Sequence, residues 1–176
     1  MQVILLLALL VAVGIRIVIA VRRNRKPESA EPFPETIVRD GYDIAEMEDA
    51  IARGRATVDR FILSLERQEG SEFCVKVPIT DEGQTEHFWL DNLGYKNGMF
   101  TGKIADDPGV VQNVKFGQKW SVHKNEISDW MFMRDRRMYG NFTLVPLLQT
   151  MDLRQVFIYM KALASEEELE RYLASK

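Results

Sequence analysis

Two short stretches place an acid beside groups that could do proton chemistry: Glu86-His87-Phe88-Trp89-Leu90, and Ile127-Ser128-Asp129-Trp130-Met131-Phe132-Met133. An imidazole oriented by a carboxylate is the arrangement of a general base, because the acid fixes the ring's tautomer and stabilises its protonated form. A small hydrolase or transferase using His87 with Glu86 or Asp129 is therefore one candidate. The other is a hydrogen-bonded seam with no chemistry. Period-two alternation sets Glu86, Phe88 and Leu90 on one face of a strand, with His87, Trp89 and Asp91 on the other. It likewise sets Ile127, Asp129, Met131 and Met133 against Ser128, Trp130 and Phe132. Both faces are largely apolar, as expected of a sheet covered on two sides. An unpaired carboxylate buried there would cost several kcal/mol. On this view Glu86 and Asp129 must accept from backbone N–H groups, Lys76, Ser128 or His87.

Other chemistries find less to build on. The chain has no Gly-x-Ser-x-Gly elbow and no phosphate-cradling Gly-x-x-x-x-Gly-Lys loop. Its single cysteine, Cys74, lies in an apolar run and packs as a small hydrophobe; no internal disulfide can form. The only histidines are His87 and His123, too few for a metal centre without further ligands at matching spacing. No catalytic residue, metal or cofactor is assigned. Arg134, Arg136 and Arg137 at a hairpin tip form a candidate anionic contact, for a phosphorylated ligand or anionic lipid. Trp89, Trp120 and Trp130 either line a groove or anchor the core with their N–H groups bonded.

The elements that hold these residues fall into an ordered series. Asp43 caps a helix from Ile44 to about Gln68, with Glu46 as the reciprocal member of an acid capping box. Ile44, Met47, Ile51, Gly54, Val58, Phe61 and Leu65 make one seam, and Gly54 permits close approach of another backbone. From Phe73 the period becomes two. Strands are predicted at 73–80, 85–93, 99–105, 119–123 and 127–133, with 134–140 as a turn and 141–148 as a last strand running into a loop, which Pro146 places at an edge. The end is helical again, with an apolar face of Leu153, Val156, Phe157, Met160 and Leu163, and a capping box joining Ser165 to Glu168.

Ahead of all this, Val3 to Val21 contains fourteen Val, Ile or Leu residues in nineteen. As a helix it is about 28 Å long, close to the hydrocarbon thickness of a bilayer. Arg16 lies toward the cytoplasmic end, where it can snorkel. Basic residues follow the apolar run, as Arg22-Arg23-Asn24-Arg25-Lys26, so the positive-inside rule makes it an N-out, single-pass anchor rather than a cleaved signal. Residues 1–26 carry +5, and the other 150 carry 18 basic against 26 acidic side chains, or −8. So acidic a remainder argues against a nucleic-acid partner. Pro27 to Glu35 reads as a stiff spacer.

The motifs Phe73-Cys74-Val75-Lys76, Glu86-His87-Phe88-Trp89 and Ile127-Ser128-Asp129-Trp130-Met131, in that order over about Ala45 to Leu147, resemble the YegJ-like bacterial domain of unknown function. The resemblance implies an α+β domain with a small, strongly curved, SH3-like antiparallel sheet packed by a long N-terminal helix. It implies no reaction. Related chains often carry two glycines before the final Thr strand, where this one has Gly140-Asn141-Phe142.

The expected organisation is a transmembrane anchor with basic flank (1–26), a Pro-rich linker (27–39), the α+β domain (40–150) and a C-terminal helical extension (151–176). Its place is the inner membrane of a bacterium, single-pass, with the domain in the cytoplasm. Its partners are the lipid bilayer through residues 3–21 and a protein or peptide taken at the sheet edge, without catalysis; the candidate polar seam is Glu86, His87, Trp89, Ser128, Asp129 and Trp130. The alternatives differ in geometry. An enzyme requires His87 and a carboxylate to converge in an open pocket, whereas a binding module ties His87 to backbone in the core. An oligomerising scaffold leaves Ile51 and Val58 facing solvent.

Overall fold

A computed structural model describes residues 41–175. The expected anchor (1–26) and the whole linker (27–39) lie outside the described residues. Among those described, no helix is long and apolar enough to cross a membrane.

The first helix, α1, runs Ile44–Arg67. Asp43 caps it as the sequence requires, its Oδ1 accepting from the N–H groups of Ala45 at 2.8 Å and Glu46 at 3.1 Å. The reciprocal half of the box does not form, because Glu46 instead accepts from the Gln149 amide. Gln68 ends the helix in a left-handed conformation, φ 55°. Only the second half of the seam reaches the core. Ile44 is 70% exposed, while Val58, Phe61, Ile62 and Leu65 are buried. Burial of Val58 removes the arrangement an oligomerising seam would need.

Six strands follow: β1 Ser71–Asp81, β2 Gln84–Lys96, β3 Met99–Ile104, β4 Lys119–His123, β5 Asp129–Arg134 and β6 Arg137–Gly140. They form one antiparallel sheet in the order β4-β3-β2-β1-β5-β6. The sheet does not close: its edges are β4 and β6, and β6 turns its outer side to Leu163 and Ala164. Register shifts at 71–74 and 91–94, with Glu72 and Asn92 at positive φ, mark bulges that strengthen the twist.

Residues 134–140 are not simply a turn. Asp135 and Arg136, both at positive φ, make a two-residue connection, and the chain then returns as β6. Nor is 141–148 an edge strand: Leu144–Leu147 is a short helix, α2, with Pro146 in its first turn, and a 3-10 turn follows at Leu148–Thr150. A proline is tolerated there because first-turn N–H groups have no intrahelical partner. Two further helices, α3 (Leu153–Ala162) and α4 (Glu166–Ala174), end the fold. The Ser165–Glu168 capping box is present in full. Leu169 and Tyr172 of α4 enter the core, but Leu153, Phe157 and Met160 of α3 turn outward.

The core lies between α1 and one face of the sheet, where Phe61 stacks on Trp130 at 5.3 Å between ring centres. The opposite face carries the polar seam. Cys74, Lys76, Pro78, His87 and Trp89 are all only half-buried there.

Candidate functional site

The polar seam is assembled by sheet register. Lys76 pairs with Trp89 on β2 and with Asp129 on β5, and Pro78 pairs with His87. Gly54 lets α1 settle against this seam: a Cβ there would lie 3.3 Å from both the Asp129 Cα and the Ser128 carbonyl. The indole N–H of Trp130 donates to the Gly54 carbonyl and the Thr57 hydroxyl, both at 3.0 Å. Trp130 is thus a core anchor with its polar tip satisfied. Trp120 packs half-buried against the core, and Trp89 lies beneath the Lys76 amine, 5.3 Å from ring centre to Nζ.

Each acid has partners, but not His87. Glu86 faces the core end of β2 and accepts from three successive backbone N–H groups, Gly109, Val110 and Val111. Asp129 is fully buried. Its Oδ1 accepts from the Trp130 N–H, and its Oδ2 from the Thr143 N–H at 2.8 Å and the Thr143 hydroxyl at 2.7 Å. The same hydroxyl accepts from Lys76 Nζ at 3.2 Å, so amine, hydroxyl and carboxylate form one chain. Burial raises the Asp129 carboxyl above its ordinary range, against the Thr143 donors and Lys76. Burial also lowers the Lys76 ammonium, against Asp129 and Asp106. Two charges removed from water are kept together by mutual attraction through one threonine.

His87 bonds Ser128 instead, Nδ1 to Oγ at 2.9 Å. Ser128 in turn donates to the Lys76 carbonyl at 3.2 Å. With its own proton committed there, the hydroxyl must accept from the imidazole Nδ1–H. That polarity is the reverse of nucleophile activation, in which the hydroxyl gives its proton to the ring. Ser128 is also fully buried. Burial, then Lys76 and Arg55, push the imidazole down to about 4, so the ring is neutral near pH 7. Neither expected placement of His87 is met in full: it is half-buried, and it reaches backbone through one hydroxyl. The convergence of His87 with Glu86 or Asp129 that a hydrolase or transferase requires does not occur, because both acids are held by other donors.

Burial raises the Cys74 thiol to about 12, which leaves it an unreactive thiol near neutrality. Among the described residues, no group of three or more His, Cys, Asp or Glu could hold a metal ion. The arginine trio does not act as a unit. Arg137 donates to the Lys161 carbonyl at 2.7 Å and approaches Glu168, and Arg134 lies 3.8 Å from Asp135. Only Arg136 has no ion pair among the described residues.

Three participants escaped the sequence analysis. Thr143 lies fourteen residues from Asp129 with no local pattern to join them. Asp106 accepts from the Trp89 N–H. The third is the amide cradle at 109–111, for which a signal existed: Pro108-Gly109 after two aspartates is a turn that exposes successive N–H groups.

The family described as "Uncharacterized protein conserved in bacteria (DUF2314)" matches residues 44–164, which reaches past Leu147 through α3. The chain is 49% identical over 116 residues to the uncharacterized protein YegJ of Escherichia coli strain K12, covering 66% of this chain and 76% of that one. It is 35% identical over 74 residues to a putative ankyrin repeat protein of Neisseria meningitidis serogroup B, covering 40% of this chain and 29% of that protein. No solved structure matches, so the SH3-like detail of the fold has none to be measured against. The chain belongs to the DUF2314 family of uncharacterised bacterial proteins.

Proposed function

We propose that the protein is a membrane-tethered binding module whose reactive-looking residues build its fold. Residues 3–21 anchor it in the inner membrane with the N-terminus outside, and the domain in the cytoplasm takes an extended segment of a partner protein along β4. The observation that carries this is the unequal state of the two sheet edges. β6 is occupied by Leu163 and Ala164. On β4 the ladder runs through Ile104 N–H to Gln118 O and Lys124 N–H to Gly98 O. That phase points the backbone groups of Lys119, Ser121 and His123 away from β3. His123 is satisfied by Glu126. Lys119 and Ser121 are left with outward N–H and C=O groups, the template on which a strand can add.

Ser121→Pro removes an outward donor and blocks strand addition while leaving the β3 ladder intact. Full-length protein in mild detergent should retain a cross-linked partner that Ser121→Thr also retains and Ser121→Pro loses, with melting temperatures alike. A partner set held equally by the proline variant sinks the edge assignment. Membrane pellets washed with alkaline carbonate check the anchor: the full chain should stay in the pellet, and its release into the wash refutes the span.

A further inference from the structure

The β4 edge carries a charge pattern as well as outward backbone groups. Lys119 pairs directly with Lys103 on β3, and Lys103 with Asp91 on β2, so the three side chains form one row on the solvent face of the sheet. Both lysines are exposed. Among the described residues, neither makes an ion pair or a side-chain hydrogen bond. The Asp91 carboxylate accepts from the Asn92 amide, Glu126 accepts from the His123 N–H, and Asp59 pairs with Lys124. Like charges directly opposite each other destabilise a sheet, and opposite charges stabilise it. Outward from β2 the row runs acid, cation, cation, and the next place in it lies beyond Lys119. The neighbouring row holds Thr101 and Ser121, both exposed. Between Lys119 and Ser121, on the other face, Trp120 is half-buried against the core.

A strand added to β4 sends successive side chains to alternate faces. The residue opposite Lys119 falls on the solvent face, about 5 Å away between Cβ atoms. The residue two further along falls opposite Ser121, and the one between them shares the face of Trp120. Building on the edge reading above, we propose that the segment β4 captures is an acidic one. It sets Asp or Glu opposite Lys119, an apolar residue against Trp120 and Ser or Thr opposite Ser121. The acid supplies the counter-charge that Lys119 lacks. A neutral segment meets the same backbone groups but leaves the lysines unrelieved, and a basic one adds to their repulsion. A second copy is disfavoured for the same reason, because β4 against β4 brings Lys103 and Lys119 of both copies to one seam. Lysines that guard an edge against indiscriminate pairing thereby select what can occupy it.

The test is a selection of displayed random peptides on the full-length protein in mild detergent, counter-selected on Ser121→Pro. Peptides that the proline variant loses should carry an acid, an apolar residue and a hydroxyl residue in succession, in that order or its reverse. With a selected peptide labelled for fluorescence anisotropy, exchanging its acid for the amide should weaken binding about threefold, and Lys119→Glu should weaken it about tenfold. Added salt should weaken it too. Lys119→Glu should melt no lower than wild type, since it removes the clash with Lys103, and a fresh selection on it should favour Lys or Arg where the acid stood. Proline-sensitive peptides with no preference for acid, or with an affinity that Lys119→Glu leaves unmoved, overturn this inference and leave the edge reading standing. Failure to obtain any proline-sensitive peptide sinks the edge reading, and the inference with it. A concentration-dependent dimer of the wild type that Ser121→Pro abolishes makes a second copy the occupant and likewise overturns it.

Discussion

Glu86 and Asp129 are buried acids on strands of the same sheet, yet they meet the cost of burial by different means. Glu86 lies on the core face and is held by three loop amides, dipoles that carry no net charge. Asp129 lies on the opposite face, in mid-sheet, and is held by Thr143, the Trp130 amide and the neighbouring Lys76. The first arrangement pins a loop. The second joins β1, β5 and the segment before α2 into one unit and commits two charges to poor solvation. Both look catalytic in a string of letters, because a buried carboxylate needs donors whether it reacts or not.

The largest effect should follow loss of Asp129. Asp129→Ala leaves the Lys76 ammonium without its counter-charge and strips acceptors from three donors, a cost of about 3–5 kcal/mol. Urea unfolding would read it, and Lys76→Met in the same chain should recover part of the loss, since contacting groups are not additive. If the double variant is no more stable than Asp129→Ala, the lysine is not a partner in the pair. Glu86→Ala comes next, at about 2–3 kcal/mol for stranding its amide donors. Its penalty should be the same with or without Lys76→Met, and amide exchange should quicken at Gly109, Val110 and Val111. Exchange rates there that match wild type would show the loop to be held by something else.

His87 sharpens the contrast, because cations rather than an acid neighbour it. Its folded-state value is about 4, against an ordinary 6.5. Between those two pH values the unfolded chain binds the proton that the folded chain refuses. This contribution to stability is therefore complete above pH about 6.5 and disappears as pH falls toward 4. Its limit is about 3 kcal/mol, and about half that once partial exposure of the ring is allowed for. His87→Gln should flatten the corresponding part of the stability-against-pH curve. An unchanged slope would mean that the imidazole titrates normally in the fold.

Where local chemistry determines local structure, the sequence was legible. Asp43 and Ser165 cap their helices, and five strands follow from period-two runs. Gly54 marks the close approach of α1 to β5. β6 was hidden because its connection, Asp135-Arg136, takes positive φ twice without a glycine. The apolar run at 141–148 was too short to tell strand from helix by periodicity. The stripe on α3 has the period of a core-facing helix, and period does not say which way a face turns. Of the seam, the acids and His87 could be named, but not their partners. A bond such as Asp129 to Thr143 depends on how distant segments meet.

The turn that delivers Thr143 to Asp129 offers the finest test. Asn141 has φ 55°, in the left-handed region, and its N–H donates to the Trp130 carbonyl at 2.8 Å. Glycine adopts such a φ at no steric cost, and asparagine is among the side chains that best tolerate it. Asn141→Gly relieves the backbone but gives the unfolded chain more freedom, and it loses the amide contact with the Met138 sulfur. The terms oppose, so stability should shift by no more than about 0.5 kcal/mol, whereas Asn141→Ala should cost about 1–2 kcal/mol. Thermal melts of the two variants would decide it. If glycine proves as damaging as alanine, what matters at 141 is the side chain, and the Met138 contact helps to aim Thr143 at Asp129.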